Sequence, residues 1–132
     1  MSQGPIVYVD PGWLLTIQAE VAPPNVDIID WGALHWTGSA HRYEQIAGSP
    51  YYEEPEVRAA TFLYLGLTLK PFADFNLVIG WSASQAYMQL SGRPVAPEPK
   101  ALWALAGEIR AGETGLRDTA AVIRSWRTDP EA

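Results

Sequence analysis

Apolar residues recur at helical spacing along most of this chain. Leu14, Leu15, Ile17 and Val21 share one face, which predicts a first helix over about 11–21. Asp10 suits its N-cap, Pro11 its first helical position, and Pro23-Pro24 stops it. The preceding "PIVYVD" alternates weakly and reads as a short strand or an extended lead-in. Asp30 opens a second helix over about 31–41, weakened by Gly32 and Gly38. Residues 55–69 are apolar nearly all round, including Val57, Ala59, Ala60, Phe62, Leu63, Tyr64, Leu65 and Leu67; such a helix is central and buried. Pro71 ends it, and a fourth helix, also strongly apolar at its start, covers about 76–90 with Gly92 in the C′ position. Leu102, Trp103, Leu105, Ala106 and Ile109 predict a fifth helix over about 100–110. Ala120, Val122, Ile123 and Trp126 predict a sixth over about 116–127. Between the second and third helices, Gly, Pro, Tyr and Glu predict a loop with a short β element around Tyr51-Tyr52. The expected fold is one all-α domain over 1–132: a bundle of about six helices, two of them central and buried, with at most a short β element.

Composition narrows the function. The chain has 132 residues, 48% hydrophobic and 18% charged, enough for a single core. It contains no Cys, which excludes disulfides, a thiolate nucleophile and thiolate-held metals. The expected setting is cytoplasmic: residues 1–10 lack the features of a signal peptide, and no apolar run reaches the roughly 18 residues of a membrane span. The net charge is −6 with nine Lys and Arg, scattered along the chain, which argues against nucleic acid and for a protein partner.

The chemistry-bearing stretch is "LKPFADFNLVIGW", Leu69 to Trp81, between the two central helices. A polar cluster where a helix begins suits anion binding by free backbone N–H groups. This stretch resembles the Fic/Doc signature, His-Pro-Phe-x-Asp-Gly-Asn-x-Arg, without a gap. Pro71, Phe72, Asp74 and Asn76 match it; Lys70 stands at the His, Phe75 at the Gly, Leu77 at a variable and often basic position, and Val78 at the Arg. "DWGALHWTGSAHR" looks like the early Doc-type segment, and "AGETGLRDTAAVIRSW" like the closing helix of Doc toxins, so the resemblance covers most of the chain.

The resemblance implies a Fic/Doc-like helical bundle belonging to a toxin–antitoxin system. Family enzymes transfer an adenylyl or phosphoryl group to a target hydroxyl, with the motif His as general base. A charged Lys70 ammonium has no acceptor lone pair. Phe75 adds a ring where Gly lets backbone approach phosphate, and a positive φ there would be costly. Val78 offers neither charge nor hydrogen bond in place of the phosphate-clamping Arg. Base, cradle and clamp are each worth powers of ten in rate. The expected function is therefore non-catalytic, a degenerate Doc-like protein acting through a protein partner such as a cognate antitoxin, with no cofactor. The alternative is a residual phospho- or AMP-transferase using Lys70, Asp74 and Asn76, with ATP or GTP and Mg. Asp74 and Asn76 also read more simply as caps of the fourth helix.

The remaining candidates are weaker. His35 and His41 are six apart, which is no helical metal pair, and His41-Arg42 reads as cations near a helix C-terminus. Ser82, Ser84 and Ser91 follow no nucleophile pattern. Glu53, Glu54 and Glu56 read as a solvated helix start rather than paired carboxylates. Tyr51 and Tyr52, at the position of the family's target-holding flap, are candidate partner-binding anchors or a lid on the local core.

Overall fold

The computed structural model describes residues 6–43, 45–46, 49–50 and 54–129. They form six α-helices: α1 Trp13–Val21, α2 Trp31–Ser39, α3 Pro55–Leu69, α4 Asn76–Leu90, α5 Pro99–Arg110 and α6 Leu116–Ser125. A 3-10 turn, Ala40–Arg42, extends α2, and two-residue strands β1 Gln45–Ile46 and β2 Ser49–Pro50 pair antiparallel. The bundle is all-α, as the periodicity predicts; its short β element lies at 45–46 and 49–50, ahead of the Tyr51-Tyr52 position at which one was expected. Tyr51 and Tyr52 lie outside the described residues.

The apolar girth of α3 makes it the hub. It packs on α2, α4, α5 and α6, and Ala59, Ala60, Phe62 and Leu63 have no measurable exposure. Its closest neighbour is α4. A Cβ on Gly80 would stand 3.0 Å from the Phe62 carbonyl oxygen, so a side chain there would push the helices apart. One turn later, the buried Ser84 hydroxyl accepts from Leu63 N–H at 3.1 Å and donates to the Ala59 carbonyl at 2.7 Å. Those are the two groups that an uninterrupted helix pairs with each other. Ser84 therefore ties α4 into the backbone ladder of α3.

Several local features depart from the sequence reading, each for a packing reason. Helix α1 starts at Trp13, because Asp10 caps the preceding turn: its carboxylate accepts from Gly12 N–H at 2.7 Å and its carbonyl from Trp13 N–H at 2.8 Å. Leu15, expected on the buried face of α1, is 38% exposed, while Leu14 and Ile17 are buried. Residues 6–10 form no strand. Side chains of the bundle satisfy their backbone instead: Tyr87 O–H donates to the Val7 carbonyl at 2.6 Å, and His41 Nε2 accepts from Val9 N–H at 2.9 Å.

Two charge assignments are also corrected. Glu56 is not solvated. It is 1% exposed and meets Arg93 at 2.7 Å and Arg124 at 3.5 Å, because α6 packs across the start of α3. His41 is not a cation near a helix end. It is fully buried against Phe62 and Tyr87, and its pKa is lowered to about 4, first by burial, then by Arg42 and Arg58; the Gly38 backbone opposes the shift.

Candidate functional site

The loop between α3 and α4 is fixed by its backbone at both ends. Lys70, the C-cap of α3, has φ 50°, and Phe75, the N-cap of α4, has φ 66°. These are the two non-glycine residues with positive φ among those described. Each such left-handed residue costs about 1–2 kcal/mol. Phe75 thus keeps the backbone geometry that a glycine would adopt freely.

The middle of the loop is stitched to the chain before α2. Pro71 C=O accepts from Ile29 N–H at 2.9 Å, and Ala73 N–H donates to the Asp27 carbonyl at 2.8 Å, around an antiparallel bridge between Ile28 and Phe72. Phe72 itself is 2% exposed and anchors the loop in the core.

Asn76 completes the turn in a way the capping expectation did not capture. Its Oδ1 accepts from Phe72 N–H at 3.0 Å, and its Nδ2 donates to the Phe72 carbonyl at 2.9 Å. The carboxamide imitates a paired backbone strand and closes the loop on itself; it does not cap α4. Asp74 accepts from the adjacent Phe75 N–H at 2.7 Å. The α4 N-cap makes no side-chain cap bond.

An open cleft of about 450 Å³ lies against this loop. Lys70, Ala73, Asp74, Phe75, Asn76, Leu77 and Val78 line it from the loop and the start of α4, Leu67 from α3, and Trp103 and Arg110 from α5. The structure therefore brings together every residue assigned to the signature's catalytic and phosphate positions. Lys70 and Asp74 are exposed, Asn76 and Leu77 half-buried, and Phe75 and Val78 each 38% exposed. The cleft's chemistry is mixed, with two cations, one carboxylate and the apolar side chains of Leu67, Phe75, Leu77, Val78 and Trp103.

Trp103 and Arg110 are the residues sequence reasoning missed. The core stripe of α5 is Leu105, Ala106 and Ile109, all buried. Trp103 belongs to a different face and is 64% exposed. Arg110 follows it by seven residues, two helical turns, and so shares that face. The signal was present in the spacing: Leu102, Leu105, Ala106 and Ile109 complete an apolar stripe without Trp103.

Among the described residues no group of three or more His, Asp or Glu is placed to hold a metal, and no helix is long and apolar enough to cross a membrane. No family model and no curated protein sequence matches the chain.

Proposed function

We propose that this chain is a non-catalytic, protein-binding relative of the Doc-type toxins, acting in the cytoplasm through a partner segment seated on the cleft between the 70–75 loop and α5. The observation that carries this reading is where the apolar surface is exposed. Of ten exposed large hydrophobic side chains among the described residues, Phe75, Val78 and Trp103 line the cleft, and Leu69 and Ile29 adjoin the loop. Apolar side chains gathered around one concave site mark an interaction surface. Catalysis is disfavoured by the same residues. Lys70 stands where the motif base would be, and an ammonium has no acceptor lone pair; Val78 supplies no phosphate contact.

In this reading the partner is a cognate antitoxin segment or a former target protein. The test is purification of the tagged full-length chain from its native host, beside Trp103→Ala and Phe75→Ala. Light scattering should give a defined complex with one protein in fixed stoichiometry for the wild type, lost in both variants. A wild-type chain that purifies alone would overturn the reading.

One observation favours the second reading, a residual transferase. Phe75 retains the left-handed turn, so the N–H groups of Asn76, Leu77 and Val78 precede the first helical bond, Ile79 N–H to Phe75 C=O at 3.0 Å, at the mouth of a cleft that holds Lys70 and Arg110. A rise in Tm with Mg-ATP or Mg-GTP would support this reading, and the absence of any shift would remove it.

A further inference from the structure

The cleft carries a charge pattern opposite to that of the chain. The net charge is −6, from nine Lys and Arg against fifteen Asp and Glu. Most of the nine cations are spoken for. Arg93 and Arg124 bond Glu56, Arg127 bonds Asp129, Arg58 donates to the His41 carbonyl and Arg42 to the Val9 carbonyl. Arg117 is also engaged. Lys70, Lys100 and Arg110 have no ion pair or side-chain hydrogen bond among the described residues, and two of these three line the one cleft. Its single carboxylate, Asp74, accepts from a backbone N–H and forms no ion pair with either cation.

We propose that the cleft's occupant is an acidic polypeptide segment bearing a bulky apolar side chain, with its carboxylates at Lys70 and Arg110 and its apolar group between Phe75, Val78 and Trp103. This rests on the protein-binding reading above and goes beyond it by naming the partner's chemistry. Lys70 and Arg110, both without an ion pair among the described residues, attract a negative group, and their attraction is local, within a Debye length of about 8 Å at physiological salt. Phe75, Val78 and Trp103 add exposed apolar surface to the same cleft, which an ion alone would leave in water. At about 450 Å³ the cleft has the size of a ligand pocket, suited to a few side chains rather than to a domain face. A nucleic acid would meet the same two cations but also the acidic remainder of the surface, and two phosphate contacts give little affinity.

The test is selection of a random twelve-residue phage-displayed library on the immobilised full-length chain. The enriched peptides are then measured on Lys70→Glu/Arg110→Glu, a double variant whose changed positions are both exposed. The expected outcome is enrichment of peptides that combine Asp or Glu with Trp, Phe or Leu. The tightest of these should weaken at least tenfold on the double variant and several-fold between 50 and 500 mM NaCl, and should lose binding on Trp103→Ala. Enrichment of basic or uncharged peptides that still require Trp103 would overturn the acidic assignment while leaving the protein-binding reading in place. No enrichment at all would overturn both. Displacement of the selected peptide by millimolar tripolyphosphate but not by poly-glutamate would instead assign the cations to phosphate.

Discussion

Asn76 pairs with the backbone of Phe72 in both directions, taking its N–H at 3.0 Å and giving to its carbonyl at 2.9 Å. Both groups belong to a loop that also meets the 27–30 segment, so the pair fixes where Phe75 and Lys70 emerge. Replacing Asn76 by Ala leaves two backbone groups unsatisfied in a half-buried site, at about 1–3 kcal/mol. Asn76→Asp keeps the acceptor and loses the donor. Urea unfolding at pH 7 should therefore place wild type above both variants, since Asp turns a carboxylate oxygen on the Phe72 carbonyl where Asn gives an N–H. Equal midpoints for all three would show that the pair holds nothing.

Phe72 and Phe75 make a second comparison. Phe72 is 2% exposed, so Phe72→Ala should cost about 3–5 kcal/mol through the cavity it leaves. Phe75 is 38% exposed with φ 66°, so Phe75→Gly relieves strain, offset by the extra freedom of an unfolded glycine. Its stability should stay within about 1 kcal/mol of wild type. Peptide or partner binding at the cleft should fall all the same, since the ring is gone.

Ser84 offers a test of the helix crossing. Its hydroxyl is buried between Leu63 N–H and the Ala59 carbonyl. Ser84→Ala should lower stability by about 1–3 kcal/mol, and hydrogen exchange at the Leu63 amide should quicken more than at its neighbours. Uniform exchange changes along α3 would contradict the local role.

His41 predicts a pH dependence of stability. Its Nε2 accepts from Val9 N–H, which requires a neutral ring, and its folded pKa is about 4 against an ordinary 6.5. Above pH 6.5 both states are neutral and the stabilisation is complete. As pH falls from 6.5 to 4 the unfolded chain takes up a proton that the folded one resists, and stability drops by something on the order of 3 kcal/mol before levelling off. Urea titrations at intervals from pH 7.5 to 4 should show this loss, and His41→Gln should lack that portion of it. Identical pH profiles for the two would contradict the assignment.

Periodicity reveals the bundle because α3 buries almost every face and α4 a broad one, and the punctuation is chemical: Pro55 opens α3, Pro71 follows it, and Gly92 with φ 78° follows α4. What failed was what depends on contacts distant in sequence. Glu56 looked solvated until α6 brought Arg124 to it, and His41 looked cationic until Phe62 and Tyr87 closed over it. The same holds for the cleft. Residues 70–78 are legible as a site in one stretch, whereas Trp103 and Arg110 reach it from α5, which the sequence does not connect to that stretch. Asn76 was read as a cap because its type suits one; only the fold shows Phe72 in front of it.

We propose that Lys70, Phe75 and Val78 make the 70–78 stretch a binding site and not a group-transfer site. Incubating the full-length chain with a native-host lysate and α- or γ-labelled ATP or GTP in the presence of Mg tests this directly. The account predicts no protein labelling beyond that given by the Lys70→Ala/Asp74→Ala variant; labelled protein that appears with wild type and disappears with that variant would contradict it.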